Sequence, residues 1–502
     1  MMLVAQIRVP TVGVFGDMMN LRLTPRQFHT SSTSHGNKAK RRKLKMREMM
    51  PHIPVKKSTG VPTVQALHHF DQLYSSVFRN KWTSMRLGLM SPHKYAAIVN
   101  NAGDSEETIE ELKSLGCVDI HEQFKIGFSK VEPYITFEED GGVSVDNEAV
   151  DNLEDPETDD LMEDDEEEKF KSLDPDEASS RLMKPDQNLL GGNSVTMYKF
   201  MPTAKLKGME DFVEESQYYE SYEKIDTNFI KFKQHPKLNF PCHLRCFTFP
   251  RSDLSDFPQP RPGSLGTLNY YCLDAASLLP VLALDVKPGH SVLDLCAAPG
   301  GKSLAILQTL YPSLLTCNDI EYKRVRRLIG ILDQYCGKGD GIGDMRKCVN
   351  ISRQCGTQLG DFGAYDRVLV DAPCYSDRHS VTSEEGNIFV KNEIKQRLKM
   401  PEKQSELLKN GLKHLAPGGS LVYSTCTLSP VQNDGVVHKV LTELWEETSL
   451  NFEVADLDLA VKPFKFMCKI FGKREGMKYG QLVVPFLPNN FGPMYFSKIN
   501  RV

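Results

Sequence analysis

Two cysteines follow apolar segments that have the composition of buried strands. Cys374 comes after Asp371 and a proline in "VLVDAPC", and Cys426 ends the segment "LVYSTC". Residues at the end of a strand are often catalytic, because the rigid sheet fixes their position. A thiol there is either a small apolar side chain or, as a thiolate, a nucleophile.

The surrounding segments alternate between strand and helix patterns. The predicted strands are "SVLDL", "LLTCND", "DRVLVD" and "SLVYSTC"; the predicted helices are "SLAILQTL", "EYKRVRRLIGILDQY" and "LLKNGLKHLA", the last closed by Pro417-Gly418-Gly419. Such alternation gives a parallel sheet with helices on both faces. We therefore predict an α/β fold, a doubly wound Rossmann-like domain over residues 251–502, with ligands at the carboxyl ends of its strands.

Three strand ends carry residues that suit a nucleoside cofactor. In "CAAPGGK", Gly300 and Gly301 let the backbone approach a ligand at a helix N-terminus. Asp319 follows about 20 residues later, where an acid can hold ribose hydroxyls. A phosphate-binding loop needs a glycine where Cys296 stands, and a dinucleotide site needs G-x-G-x-x-G, which is absent. S-adenosylmethionine, which has no phosphate, fits these residues best.

The cysteines indicate the target atom. Methyltransferases that modify exocyclic amines resemble one another in an Asp/Asn-Pro-Pro-Tyr loop, whereas the loop here is Asp371-Ala372-Pro373-Cys374. A thiolate that adds to carbon 6 of cytosine makes an enamine, whose carbon 5 can attack a methyl group. Two buried core cysteines are the alternative, and a metal site has no histidine or third cysteine placed to complete it. Residue chemistry alone does not say which cysteine attacks.

The motifs "LDLCAAPGGK", "DRVLVDAPC", "DRHS" and "YSTC" resemble the Nop/Sun family of RNA 5-methylcytosine methyltransferases. Two longer stretches, "RCFTFPRSDLSDFPQPRPGSLGTLNYYCLDAASLLPVLAL" and "NNFGPMYFSKI", look like its mitochondrial ribosomal-RNA branch. The resemblance is strong over residues 244–501 and weaker over 66–101. It implies an S-adenosylmethionine-dependent enzyme that methylates cytosine in mitochondrial small-subunit ribosomal RNA and supports assembly of that ribosome.

The resemblance also implies roles for matching positions. Cys426 matches the nucleophile, and Cys374 matches the cysteine that aids product release by helping to remove the carbon-5 proton. Asp371 would hold the N3 edge of cytosine and keep a proton, which requires an apolar, desolvated pocket. The positions implied to bind the cofactor are Cys296, Ala297, Ala298, Pro299, Gly300, Gly301, Lys302, Asp319, Arg324 and Asp371.

One family position has no match. The family usually has an acid after the third strand that contacts the adenine, whereas "CVNISRQCGTQ" places Arg353 or Gln354 there. The nearest acids, Asp344 and Asp361, are offset, so no residue is assigned to this contact. Two alternatives therefore stay open: a ribosome-assembly factor whose methyltransferase activity is dispensable, and the same chemistry on transfer RNA.

The first half of the chain has strong compositional bias. The first 47 residues hold ten Lys/Arg and one acid. This composition predicts a mitochondrial transit peptide over residues 1–30 and a basic arm over 31–60; an RNA-binding arm is the alternative.

Residues 138–177 hold twenty acids and two lysines, which predicts an acidic disordered insert over 137–185. Between them we predict a helical region over 61–136, with "SPHKYAAIVN" as a serine-capped helix, and residues 186–250 connect to the main domain.

The partners follow from the same resemblance. It implies that the protein acts with a mitochondrial transcription-termination-factor-like protein, a helical-repeat RNA binder. No separate RNA-binding module is evident in the sequence, and outside its biased segments the chain is only mildly basic, which fits borrowed RNA affinity. No apolar run reaches membrane-spanning length, so we expect no membrane among the partners. We expect no metal either, because no histidine or third cysteine is placed to complete a site with the two cysteines.

The transit-peptide prediction can be tested directly. Mass spectrometry of the protein isolated from mitochondria should show that about 30 N-terminal residues have been removed, because import peptidases cleave such segments in the matrix. Recovery of a chain that still begins at Met1 would contradict matrix import through this segment.

Overall fold

Parallel pairing of apolar strands forms the framework of the second half of the chain. In the computed structural model, the residues that the structure describes are 61–137, 143–145, 230–337, 345–360 and 362–502. The predicted transit peptide, the basic arm and nearly all of the acidic insert lie outside these residues.

Both helices and strands occur throughout the described residues. The α-helices are α1 (Pro62–Phe78), α2 (Lys81–Met90), α3 (Ser105–Ser114), α4 (Ile120–Val131), α5 (Leu278–Leu284), α6 (Gly301–Leu307), α7 (Tyr322–Cys336), α8 (Asp377–Thr382), α9 (Ile394–Leu398), α10 (Met400–His414), α11 (Asp434–Glu447) and α12 (Asp458–Val461). The strands are β1 (Ala96–Val99), β2 (Val118–Asp119), β3 (Ile135–Phe137), β4 (Val143–Val145), β5 (Lys231–Gln234), β6 (Cys246–Thr248), β7 (Tyr270–Leu273), β8 (Ser291–Asp294), β9 (Leu314–Asn318), β10 (Val349–Ser352), β11 (Tyr365–Asp371), β12 (Leu415–Thr425), β13 (Phe452–Asp456), β14 (Lys469–Phe471), β15 (Gln481–Val484) and β16 (Met494–Arg501). None of the described helices is both long and apolar enough to cross a bilayer.

The large sheet contains ten of the described strands, in the order β10-β9-β8-β11-β12-β16-β13-β5, with β15 and β14 added at β16. The strands from β10 to β12 are parallel, whereas β16 is antiparallel to β12, β13 and β15. Successive residues of β11 face opposite sides: Leu369 lies in one apolar core, and Val368 and Val370 lie in the other. Because both faces are covered, the doubly wound α/β prediction is confirmed.

The predicted strands and helices near the site occur within a few residues of their expected positions, with one difference. The sequence predicted that Pro417-Gly418-Gly419 closes a helix, but α10 already ends at His414 and the chain enters β12 at Leu415. The register of β12 against β11 then shifts: Leu415 pairs with Tyr365, and Ser420 pairs with Arg367. Five positions along β12 therefore correspond to two along β11. Gly418, at φ +75°, lets the intervening loop turn outward.

The prediction of a capped helix in "SPHKYAAIVN" is wrong. Ser91 directly follows α2 and is its C-terminal cap, because its backbone N–H donates to the Gly88 carbonyl at 3.3 Å. Ala96–Val99 form the strand β1. This strand is central in a second sheet of order β2-β6-β1-β7 and is buried at all four positions. A strand that is buried on both faces has no polar alternation, so a short apolar run does not distinguish it from a helix.

Residues predicted as connections contribute strands. From the predicted connection over 186–250, β5 joins the edge of the large sheet beside β13, and β6 pairs with β1. From the range predicted as the acidic insert, β4 pairs antiparallel with β3. The sequence between these short strands is polar and charged, and this obscures their β pattern.

Candidate active site

The two cysteines predicted at neighbouring strand ends are in contact. Because Asp371 at the end of β11 pairs with Ser424 of β12, the loops that follow these strands start at the same level. The Sγ atoms of Cys374 and Cys426 lie 3.1 Å apart, and both residues are free thiols. Cys374 is buried, whereas Cys426 is partly exposed.

The hydrogen bonds of this pair make the two thiols different. The hydrogen bond from Cys374 lowers the pKa of Cys426, and Ser376 acts in the same direction against the effect of burial. The same bond, together with burial, raises the pKa of Cys374 well above its ordinary value, although backbone N–H groups oppose this. Since the thiolate is the reactive form, this arrangement favours Cys426 as the nucleophile.

Ser376 is held in a strained conformation between the thiols. Its φ of +49° lies in the left-handed region, which costs a non-glycine residue of the order of 1 kcal/mol. In this position its Oγ is 3.3 Å from the Sγ of Cys426 and 3.8 Å from that of Cys374. Strain of this kind is typical of functional loops, and here it brings a hydroxyl to both sulfur atoms.

Asp371 is bound by charged and polar donors. Lys302 Nζ donates to one carboxyl oxygen at 2.9 Å, and Ser424 Oγ donates to the other at 2.8 Å. Burial disfavours the charge of Lys302, but Asp371 outweighs it and raises the pKa of Lys302 above its ordinary value. The expectation of an apolar, desolvated pocket around Asp371 is therefore wrong, because an ammonium group and a hydroxyl surround a carboxyl that is 32% exposed.

The glycine loop after β8 forms an open cradle. Gly300 has a φ of +120°, and a Cβ there would approach the Leu328 side chain to 2.8 Å, so a larger residue would not fit. Asp319 at the end of β9 forms an ion pair with Arg324 at 3.2 Å, and Arg324 also donates to the carbonyl of Ala298. The structure thus brings together the predicted cofactor residues from the loop, β9 and α7.

Asp294 was missed by the sequence interpretation. It ends β8 and is 1% exposed; its Oδ2 accepts a hydrogen bond from Ser303 at 2.6 Å, whereas its buried Oδ1 has no hydrogen-bond partner among the described residues. Burial raises the pKa of Asp294 to about 7. An unsatisfied carboxyl oxygen in the cradle suits the ammonium group of S-adenosylmethionine, so these residues fit that cofactor. The signal was present, since Asp294 ends a strand directly before the glycine loop, as Asp319 ends the next strand.

The expected adenine contact has no acid within the described part of the chain. Arg353 lies over the ring of Tyr322, 5.7 Å from its centroid, and the backbone N–H of Gln354 donates to Asn318 at 3.0 Å. Asp344 and Asp361 lie outside the described residues. The departure from the family pattern that the sequence indicated stays a prediction.

The "DRHS" segment connects the cysteines to the N-terminal helix α1. Tyr74, which is fully buried, donates its hydroxyl hydrogen to Asp377 Oδ2 at 2.8 Å, and the backbone N–H of Leu428 donates to the same oxygen at 2.8 Å. The backbone N–H of Asp377 donates to the carbonyl of Cys426 at 3.2 Å. The segment that carries Cys426 is thus fixed from α1, through a contact that no local pattern predicts.

A cavity of about 380 Å³ adjoins Cys374. Its lining includes Tyr375, Ser376, His379, Asn387 and Glu393. The volume lies within the range typical of small-molecule sites, which is about 300–1,000 Å³, and Cys374 is part of the lining.

Comparison with known proteins shows similarity along most of the chain. The family model described as 16S rRNA methyltransferase RsmB/F matches residues 281–483. The chain is 36% identical to the 5-cytosine rRNA methyltransferase NSUN4 of Xenopus tropicalis, over 92% of this chain and 94% of that protein. It is 32% identical to nsun-4 of Caenorhabditis elegans, over 89% and 93%.

Two other matches are narrower or more distant. The chain is 39% identical to the mitochondrial tRNA (cytosine(34)-C(5))-methyltransferase of Danio rerio, over 52% of this chain and 67% of that protein. The crystal structure of NSun6 from Pyrococcus horikoshii is 19% identical, covers 87% of this chain and 98% of that one, and has a TM-score of 0.46.

The contact between α1 and the cysteine segment predicts a stability effect. Tyr74→Phe removes only the hydroxyl and should lower the free energy of unfolding by roughly 1–3 kcal/mol, because it leaves a buried carboxyl oxygen short of a donor. Urea unfolding measures this change. Tyr134→Phe is the matched control, since the Tyr134 hydroxyl makes no hydrogen bond within the described residues; equal losses in both variants would contradict a specific role for Tyr74.

Proposed function

The chain belongs to the RsmB/F (Nop/Sun) family and is an S-adenosylmethionine-dependent rRNA cytosine-5 methyltransferase, and from this we propose that it methylates a cytosine of mitochondrial small-subunit ribosomal RNA through a covalent adduct with Cys426. The observation that carries the catalytic part of this proposal is the contact of the two thiols beside Asp371. A pair of core cysteines would not require a strained serine beside it, or a carboxyl that is paired with an ammonium group.

The residues around the glycine loop would hold the cofactor. Gly300 and Gly301 leave space for it, Asp294 would pair with its ammonium group, and Asp319, oriented by Arg324, would accept hydrogen bonds from its ribose. When bound, S-adenosylmethionine supplies an electrophilic methyl group. The remaining chemistry belongs to the side chains at the ends of β11 and β12.

In the proposed reaction, the Cys426 thiolate forms a bond to carbon 6 of the cytosine. The electron pair of the C5–C6 double bond moves into the ring, and Asp371 holds the N3 edge while Lys302, 2.9 Å from Asp371, offsets the added negative charge. Carbon 5 would then use this electron pair to take the methyl group that the cofactor would supply, and the methyl–sulfur bond would break with its electron pair left on the sulfur. We propose that N3 takes a proton from the Lys302–Asp371 pair as the thiolate adds and returns it when the adduct breaks down, so the apolar pocket first expected is not required.

Release of the product reverses the addition. The carbon-5 proton leaves to a base, its electron pair restores the C5–C6 double bond, and the C6–S bond breaks to return the Cys426 thiolate. We propose that Cys374 assists removal of this proton, because its sulfur lies 3.1 Å from that of Cys426 and so faces the same bond.

Ribosomal RNA is supported over transfer RNA by the extent of the similarity. The relatives named as rRNA methyltransferases align with 92% and 89% of this chain, whereas the relative named as a tRNA methyltransferase aligns with 52%. The matches to the rRNA enzymes therefore include the N-terminal part, which contains α1 and the second sheet. Methylation of transfer RNA is kept as the second candidate.

Location and partner complete the proposal. The basic, hydroxyl-rich N-terminus supports the mitochondrial matrix, and one relative is itself named as mitochondrial. We propose that the protein acts with a mitochondrial transcription-termination-factor-like protein that contributes RNA affinity, and that it supports assembly of the small ribosomal subunit. The mildly basic charge outside the biased segments is the observation that favours such a partner.

The two cysteines should fail in opposite ways. Cys426→Ala removes the attacking thiolate, so no adduct with RNA should form and methylation should be lost. Cys374→Ala should still add to carbon 6 and transfer the methyl group, but it should accumulate as an adduct because the proton leaves slowly. Denaturing gels of each variant with labelled RNA, run without thiol reagents, measure both results.

The outcomes of this experiment separate the mechanisms. An adduct from Cys426→Ala and none from Cys374→Ala would exchange the two roles. Full methylation by both variants would rule out covalent catalysis and return the cysteines to core packing. Cys272→Ala serves as the control, since this thiol lies away from the site in β7 and its pKa is raised to about 12 by burial.

Bisulfite sequencing tests the substrate. In cells that lack the protein, one or more cytosines of mitochondrial small-subunit rRNA should lose methylation, and wild-type protein but not Cys426→Ala should restore it. Loss confined to transfer RNA would replace the rRNA proposal by the second candidate. Restored ribosome assembly by Cys426→Ala, without methylation, would show that assembly does not require the activity.

A further inference from the structure

A second cavity, of about 170 Å³, lies at the end of the sheet opposite the cysteines. Its lining includes Lys233, His235, Ser420 and Lys498. Ser420 lies within β12, and Cys426 directly follows this strand, six positions later. An extended chain of six residues spans about 20 Å, which is the approximate distance between Ser420 and Cys426. The cavity is therefore separate from the methyl-transfer site.

Lys498 is a buried ammonium group whose charge is offset by Asp285, a carboxylate that also has other partners. It lies within β16, between Val422 of β12 and Ala455 of β13, and it is 3% exposed. Within the described part of the chain, its side chain makes no hydrogen bond and no ion pair. Burying such a charge is costly unless it is paired, and burial lowers the pKa of Lys498 to about 8.

His235 brings a second unsatisfied nitrogen to this cavity. Its Nε2 is buried and has no hydrogen-bond partner among the described residues, while its backbone N–H donates to the Asp456 carbonyl at 2.9 Å and fixes the residue at the end of β5. Burial lowers the pKa of His235 to about 4, with Lys498 acting in the same direction. The ring is therefore neutral near pH 7, and one of its nitrogens can donate a hydrogen bond.

One carboxylate, Asp285, lines the cavity itself, and both it and the nearby Glu453 have partners. Asp285 accepts a hydrogen bond from Asn239 at 2.8 Å and lies 3.7 Å from the ammonium of Lys287. Glu453 lies 3.6 Å from the ammonium of Lys233. Lys233, Lys287 and Lys498 outnumber these two carboxylates, so the surroundings of the cavity keep a net positive charge, and this favours an anionic ligand.

We propose that this cavity binds a small oxyanion of the phosphate class, with the Lys498 ammonium and the His235 ring as its donors. The volume accommodates a phosphate and a few waters but not a nucleoside. The ligand is either free phosphate or the phosphoryl end of a small metabolite whose remainder projects outward past Lys233. Bound there, it would connect β5, β12 and β16 and stabilise the edge of the sheet.

Inorganic phosphate is the probe for the test, titrated into the purified full-length protein at constant ionic strength. Calorimetry should show saturable binding of one phosphate per chain, and the Tm should rise by about 2 °C or more at saturation. Lys498→Met keeps the length of the side chain but removes its charge, and it should weaken binding by about tenfold or more. Lys395→Met, at an exposed position of α9, should bind phosphate as wild type does.

Two results would overturn the proposal. One is the absence of saturable binding to the wild type, which is decisive even where Lys498→Met fails to fold. The other is equal stabilisation of wild type and Lys498→Met, which would indicate a general salt effect. Tighter binding of glycerol 3-phosphate than of phosphate would support the phosphoryl end of a metabolite, and tighter binding of phosphate would support the free ion.

Discussion

The register between β11 and β12 is the constraint on which the active site depends. Pairing of Asp371 with Ser424 lets one hydrogen bond of 2.8 Å connect their side chains and brings the two following loops to the same level. A shift of one residue would turn Ser424 to the other face of the sheet, because side chains alternate along a strand. The cysteines, the Lys302–Asp371 pair and the glycine loop all derive their positions from this pairing.

Much of this half of the molecule could be predicted, because local patterns agree with the tertiary structure there. Four parallel strands near the site have an acid or a cysteine at or directly after their last residue: Asp294 ends β8, Asp319 follows β9, Asp371 ends β11 and Cys426 follows β12. Their apolar runs are typical of sheets buried on both faces. The candidate residues at Cys374, Cys426 and Asp319 were identified from this rule alone. Asp294 follows the same rule, because it is the last residue of β8. The sequence therefore contained the signal for this residue, although it was not among those predicted.

Other features depend on contacts that no local pattern encodes. The surroundings of Asp371 come from Lys302, which is 69 residues away in sequence, and the support of the Cys426 segment comes from Tyr74, which is 303 residues from Asp377. Arg378 adds to the same connection by donating to the Gly88 carbonyl at 2.8 Å. Likewise β1 is a strand only because β6 and β7 flank it, and both lie far along the chain.

The position of β16 has a consequence for the order in which the chain can fold during synthesis. Residues 494–501 form an interior strand of the large sheet, with β12 on one side and β13 on the other. Until the ribosome has released this segment, β12 and β13 have exposed edges, and exposed edges of unfinished sheets tend to aggregate. The large sheet therefore closes only after residues 494–501 have left the ribosome, and a chain that lacks these residues loses an interior strand of the sheet.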